Sequence, residues 1–191
     1  MRLFVAVDLP EETKRVIAAE QKRIAAPLVR SAGSLKLVAP ERMHLTLLFL
    51  GEVQEARVPA AIEAMNTAVD LPAFDMDFGG AGVFPPRGAP RVLWMGVTEG
   101  AAPLTSLQNE IAQRIRRLGI AFDDRPFHPH LTLGRWRESS GSAQAVALQD
   151  VAEIASMRVT RATLYQSRLS SSGPAYTALA HATLTQAGIR A

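Results

Sequence analysis

The tetrapeptide His-Leu-Thr-Leu occurs twice in this chain, at His44–Leu47 and His130–Leu133, and uses two of its four histidines. Each copy lies in an apolar run that reads as a strand. Side chains alternate faces along a strand, so His44 and Thr46 point one way, as do His130 and Thr132, each pair about 6–7 Å apart. Leu45, Leu47, Leu131 and Leu133 point the other way and belong to a core. Two such strands lining one cleft would present two imidazoles and two hydroxyls to a single anion. Hydrolysing a phosphodiester without a metal needs a base to deprotonate water, an acid to protonate the leaving oxygen, and donors for the nonbridging oxygens. Histidine titrates at about pH 6.5, so a neutral and a protonated ring can coexist around neutrality. Threonine hydroxyls can donate to the phosphate. A cyclic 2′,3′-phosphate suits such a site, because its ring already holds the leaving oxygen close to phosphorus.

Other chemistries find less support. His128 stands two residues before His130, but only Asp123 and Asp124 are near it in sequence and no His-Glu-x-x-His pattern exists, so no metal is expected. No Gly-x-Ser-x-Gly elbow and no phosphate loop ending in Gly-Lys-Ser/Thr occurs. Gly80-Ala81-Gly82 resembles the start of a dinucleotide loop, but Phe84-Pro85-Pro86 follows where a helix should begin, so it reads as a turn and no cofactor is expected. The chain has no cysteine, which removes disulfides, thiolate zinc sites and thiol nucleophiles. His181 has no partner in sequence and is assigned a structural role.

The elements that must position the two motifs follow a repeated order. Arg2–Asp8 is a strand by its β-branched and aromatic content. A helix opens at Pro10-Glu11-Glu12-Thr13, with Val16, Ile17, Ile24 and Leu28 as its apolar side and Pro27 marking an end or kink. Leu35–Val38 is a short apolar run, and Met43–Leu50 carries the first motif. A second helix is expected from Gln54 to Val69, on Val58, Ile62, Met65 and Val69. Phe74–Phe78 alternates as a half-exposed strand, and glycine- and proline-rich Gly79–Pro90 reads as an irregular connection. Arg91–Thr98 is a strand, and Pro103–Leu118 a helix with Leu104, Leu107, Ile111, Ile115 and Leu118 on one stripe opposite Arg114, Arg116 and Arg117. The loop Asp123–Pro129 leads into the second motif. A weaker helical stretch near Ala143–Gln149 precedes two long strands, Met157–Leu169 and Ala175–Leu184, joined as a hairpin through Ser170–Pro174. Arg91–Thr98 corresponds to Arg2–Asp8, and the motifs recur 86 positions apart. One duplication follows. The expected fold is α+β: a bilobal, pseudo-twofold arrangement of antiparallel sheets lining a central cleft, helices outside, with residues 1–191 forming a single domain of two interleaved lobes.

At 191 residues, 48% of them hydrophobic, the chain can bury a core. No segment approaches the roughly 20 apolar residues of a membrane span. The opening apolar stretch meets Asp8, Glu11 and Glu12 at once, so it reads as a first strand rather than a signal sequence. Without cysteine, a cytoplasmic location is expected. Of 21 basic residues 18 are arginine, whose fork matches phosphate oxygens, although a GC-rich genome would give the same bias. A net charge of +3 implies local rather than broad attraction to phosphate. Nothing resembles a coiled-coil seam, and a monomer is expected.

These residues resemble the two-histidine phosphoesterase superfamily, and more closely its bacterial and archaeal RNA 2′,3′-cyclic phosphodiesterase branch, also called LigT-type 2′-5′ RNA ligases. The likeness runs through Arg2–Pro10, His44–Leu47 followed by Phe49-Leu50-Gly51, Gly82–Pro85, Pro90–Trp94, Phe127–Leu133 with Arg135, and the closing hairpin from Leu164 to Tyr176. It implies metal-independent opening of RNA 2′,3′-cyclic phosphate ends to 2′-phosphates, with tRNA halves among the partners and 2′-5′ ligation as the reverse direction. In that scheme His44 protonates the departing 3′ oxygen, His130 activates water, and Thr46 and Thr132 hold the phosphate. Phe49 would stack on the terminal base, with Arg135 against base or phosphate. Strict alternation puts Phe49 and Arg135 on the face opposite the histidines, so their roles require a bulge or a strand end. A phosphoesterase for small cyclic nucleotides or 2′-5′ oligonucleotides, and a non-catalytic RNA-end or nucleotide binder, stand as alternatives.

Overall fold

Twice the chain runs from an apolar strand through a long helix to a motif strand that returns antiparallel to the first. The computed structural model describes residues 1–31, 35–137, 153–170 and 173–185. In order, its elements are β1 (Arg2–Asp8), α1 (Glu11–Ser31), β2 (Leu35–Leu37), β3 (His44–Glu52), α2 (Val58–Met65), β4 (Val69–Pro72), β5 (Phe74–Phe84), β6 (Val92–Glu99), α3 (Ala101–Arg117), β7 (His130–Trp136), β8 (Ala155–Val159), β9 (Arg161–Ser170) and β10 (Gly173–Thr185). They form two five-stranded sheets, ordered β3-β1-β9-β10-β4 and β2-β7-β6-β5-β8. β1 lies between β3 and β9 as β6 lies between β7 and β5, which is the expected correspondence. All neighbours pair antiparallel except β10 with β4, a parallel pair that the antiparallel expectation did not include.

The halves exchange elements. α1 follows β1 of the first sheet yet packs on β2 and β8 of the second, and α3 joins two strands of the second yet packs on β3 and β4 of the first. Alternation supplies the buried faces: Leu3, Val5 and Val7 enter the main core, leaving Phe4, Ala6 and Asp8 on the opposite face of β1. On α3, Leu104, Leu107, Ile111 and Ile115 are fully buried, as the helical spacing requires. Arg114 departs from the expected solvent-facing row. It donates to Ala64 O (3.2 Å), Thr67 O (2.7 Å) and Ala68 O (2.7 Å), satisfying carbonyls at the end of α2. Arg57, just before α2, does the same for the end of α3, donating to Leu118 O at 3.0 Å and Gly119 O at 2.5 Å.

Several boundaries differ from the sequence reading. The second helix stops at Met65, where Asn66 and Thr67 are poor helix formers, and Val69 instead opens β4, recruited by the edge of β10. Gly79–Phe84 is not irregular: β5 continues through it, and Gly82 admits an indole laid across the strand. Gly80-Ala81-Gly82 is therefore strand and not turn. Val16 is exposed, whereas Thr13 and Gln21 are buried on α1, and Pro27 lies within a helix that continues to Ser31. The run Met157–Leu169 breaks at Thr160, so that β8 joins the second sheet and β9 the first. The expected helix near Ala143–Gln149 lies outside the described residues.

Candidate active site

Over seven residues the two motif strands share one burial sequence: half-buried, buried, half-buried, buried, buried, exposed, buried. The cause is a register slip at the same place in each copy. β3 pairs Leu48 with Val5 and then Thr46 with Ala6, while β7 pairs Gly134 with Leu93 and then Thr132 with Trp94. Leu47 and Leu133 are the extra residues, each forming a β-bulge that reverses the alternation behind it. His44, Thr46 and Phe49 therefore share a face, as do His130, Thr132 and Arg135. Phe49 is 39% exposed, with the Arg2 guanidinium over its ring at 5.1 Å from the centroid. The bulge at Leu133 is anchored from behind: its carbonyl accepts from Val38 N (2.8 Å) and from Nε2 of buried Gln21 (2.7 Å), which also donates to Val38 O (2.8 Å).

Both imidazoles are oriented the same way. His44 Nδ1 lies 2.9 Å from Arg42 O, and His130 Nδ1 lies 2.6 Å from His128 O, in each case the carbonyl two residues back. A carbonyl only accepts, so each Nδ1 carries the hydrogen and each Nε2 is left for chemistry. Aromatic rings brace both. Phe4 and Tyr176 stand 4.9 and 5.1 Å from His44, and Phe84 and Trp94 stand 5.2 and 6.5 Å from His130. Trp94 can lie there because its cross-strand neighbour is Gly82. A Cβ on Gly82 would sit 2.6 Å from Trp94 Cε2 and Cη2 and nearer still to Cζ2.

Burial is the main force lowering the affinity of both rings for a proton. For His44 the Arg42 carbonyl and the Asp8 charge oppose it, while Arg135 and Lys14 reinforce it. For His130 the His128 carbonyl opposes it, while Arg135 and His128 reinforce it. One guanidinium thus acts on a ring from each motif strand, and β3 and β7 touch each other. Burial raises the Tyr176 hydroxyl, against the pull of Arg42, Arg135 and Arg2, which mark the cleft as locally positive. Rings kept short of protons by burial and a nearby cation gain one readily when an anion arrives.

The structure sets His44, Thr46 and Phe49 on one face of β3 and His130, Thr132 and Arg135 on one face of β7, with Arg135 acting on both imidazoles. It adds residues that the sequence reading passed over. Asp8, legible only as the charge closing the first apolar run, faces His44 across the strand pair. Phe4, Trp94 and Tyr176 form the walls, and alternation alone could have turned Phe4 toward the cleft once Leu3 and Val5 were placed in the core. His181, expected to be structural, is exposed, with Nδ1 3.0 Å from Thr163 Oγ1.

A duplicated α+β protein with a His-x-Thr strand on each wall and a guanidinium shared between them has a cleft suited to a phosphate anion. The family model described as the 2′-5′ RNA ligase superfamily matches residues 13–170, and the chain belongs to that superfamily. It is 37% identical over 177 residues to the RNA 2′,3′-cyclic phosphodiesterase of Archaeoglobus fulgidus, covering 92% of this chain and 96% of the relative. The Escherichia coli protein of the same name is 34% identical over 185 residues, covering 97% of each. The crystal structure of E. coli LigT complexed with 3′-AMP superposes with a TM-score of 0.77 at 32% identity, covering 97% of this chain and 98% of that one. A crystal structure from Thermus thermophilus gives 0.78 at 30% identity, covering 98% and 100%. Among the described residues, no helix is long and apolar enough to cross a membrane.

Proposed function

We propose that this chain hydrolyses RNA 2′,3′-cyclic phosphate termini to 2′-phosphate ends by metal-independent acid–base catalysis, acting as a cytoplasmic monomer whose interleaved lobes form one domain. The carrying observation is the matched pair of bulged strands. Each offers a threonine and an imidazole on the same face, the ring's Nε2 uncommitted among the described residues, and Arg135 acts on both rings. The names of the relatives support the substrate, and the 3′-AMP in LigT supports a nucleotide end in the cleft. His130 takes a proton from water as its oxygen bonds to phosphorus. The P–O3′ bond breaks, and His44 gives its proton to the 3′ oxygen. Thr46 and Thr132 donate to the nonbridging oxygens. Arg2 covers one face of the Phe49 ring and leaves the other for the terminal base, with Arg135 at the phosphate. A 5′-hydroxyl in place of water would give a 2′-5′ bond, the ligase direction.

The test is product analysis of a cyclic-phosphate-ended oligonucleotide with EDTA-treated protein. A 2′-phosphate product is expected, and His44→Ala or His130→Ala should each lower kcat by about 10²–10⁴-fold. A 3′-phosphate product, or single variants that keep full turnover, would refute it. No turnover at any pH would leave a binder.

A further inference from the structure

Each histidine sits on the same kind of bulged strand and commits its Nδ1 in the same way, so nothing in the motif strands distinguishes an acid from a base. The difference lies in the neighbouring strands. β1 sets Asp8 opposite His44, whereas β6 sets Gly96 opposite His130. Directly opposed residues share a face, with Cβ atoms about 4.5–5.5 Å apart where both have one. The position opposite His130 carries no side chain and is tight for one. A Cβ on Gly96 would lie 3.0 Å from the Gly79 carbonyl oxygen and 3.5 Å from Trp94 Cζ3.

Asp8, in contrast, is held from several sides. Thr163 Oγ1 donates to Oδ2 at 2.6 Å, Tyr165 OH donates to Oδ1 at 2.5 Å, and Arg161 Nε stands 3.9 Å from Oδ2. Thr163 is fully buried, and because its one proton goes to Asp8, His181 Nδ1 must donate to it. Burial and the Asp8 carboxylate raise the Tyr165 hydroxyl, keeping it a neutral donor. Two hydroxyl donors and a nearby guanidinium fix the position of the carboxylate.

We propose that Asp8 is the positioning residue that separates the two roles: it keeps His44 as the proton donor, and the glycine opposite His130 leaves that ring as the base. This rests on the cyclic phosphodiesterase reading of the cleft. The other groups acting on His44 are Lys14 from α1, Arg135 from β7 and the Arg42 carbonyl, with Tyr176 from β10 against its ring. Asp8 is the one anion among them. His130 meets Arg135 and His128 and no carboxylate among the described residues.

The experiment is an NMR titration of the His44 and His130 rings in the wild type, Asp8→Asn, Asp8→Glu and Tyr165→Phe, run beside the pH profile of kcat/KM on the same oligonucleotide. Asp8→Asn should lower the His44 midpoint by about one unit, leave His130 in place, and cut kcat/KM about tenfold at pH 7. Asp8→Glu should recover part of both losses. Tyr165→Phe leaves the carboxylate in place but strips one donor from it, so the His44 midpoint should rise, which tests the coupling even if Asp8→Asn fails to fold. A His44 midpoint that ignores Asp8→Asn or Tyr165→Phe, or a His130 midpoint that moves as far, overturns the proposal. An inactive wild type would overturn the functional reading instead, whatever the titrations show. An active wild type whose His44 ignores Asp8 overturns the assignment of Asp8 alone.

Discussion

Gln21→Leu keeps a buried side chain of similar size in the middle of α1 but removes both hydrogen bonds made by its Nε2, to Val38 O and Leu133 O. Each bond contributes about 1 kcal/mol net, and partly buried Val38 O, stripped of this donor, adds about another 1 kcal/mol. Leu133 O keeps the Val38 N–H at 2.8 Å, so its loss stops at the one bond. The expected cost is about 3 kcal/mol, a large part of the roughly 5–15 kcal/mol that holds an ordinary domain folded. In a chain of this size it should lower Tm by about 6–12 °C. The functional consequence is separate. Leu133 is the bulge residue that turns Arg135 to the cleft, so loosening its anchor should misplace the guanidinium and lower kcat/KM about tenfold or more. Urea unfolding gives the first quantity, and turnover of a cyclic-phosphate oligonucleotide at about 25 °C, well below the variant's Tm, gives the second. A cost under about 0.5 kcal/mol would refute the bonding. A destabilised enzyme with wild-type kcat/KM would refute the link between Gln21 and the bulge.

Three more outcomes follow from the cleft. Both rings hold their protons less firmly than free histidine, so the bell of kcat/KM should peak below about pH 6.5; Arg135→Gln, which removes a cation acting on both, should move the peak upward, and a peak above about pH 7 in the wild type would count against the burial of the rings. Between the folded values and about pH 6.5 the unfolded chain binds more protons, so the stability these two sites contribute is whole above about pH 6.5 and lost as pH falls through the folded values; urea midpoints from about pH 5 to 8 should show that slope, and a His44→Gln/His130→Gln chain should show less of it. Gly82→Ala drives a methyl into the Trp94 indole and should cost about 1–3 kcal/mol, most of it returned by adding Trp94→Leu; equal costs with and without the tryptophan change would sink the packing argument.

The features legible in the sequence were those set by local pattern. The alternation of Leu3, Val5 and Val7, the stripe of α3 and the repeated motif are each written within a few turns or one strand. The parts missed depend on partners far along the chain. The extension of β5 through Gly79–Phe84 looks like a loop because glycine weakens a strand, yet Gly82 is required by Trp94, which sits on another strand. Gln21 looks like part of a polar face until β2 and β7 supply carbonyls for it to bind. Val69 carries a helical spacing that the edge of β10 overrides. The bulge is the instructive case. Leu48-Phe49 after one motif and Gly134-Arg135 after the other give no shared signal, and the reversal of faces shows only once each strand is paired with its neighbour.

Duplication explains why the cleft works as a pair and also why it needs a difference. Copying one strand–helix–strand unit places two identical His-x-Thr faces opposite each other, and the exchange of α1 and α3 between sheets locks the two walls together, so their separation depends on packing rather than on a hinge. Symmetric walls would give two rings of equal basicity, and two equal rings share one proton evenly between productive and unproductive arrangements. A displacement at phosphorus needs that proton on the leaving-group side. The duplication therefore gains from losing its symmetry, and at the cross-strand position it sets Asp8 opposite one imidazole and Gly96 opposite the other. The glycine is as much a part of that device as the acid, since it places no carboxylate opposite His130, and the Gly79 carbonyl would crowd a Cβ there at 3.0 Å.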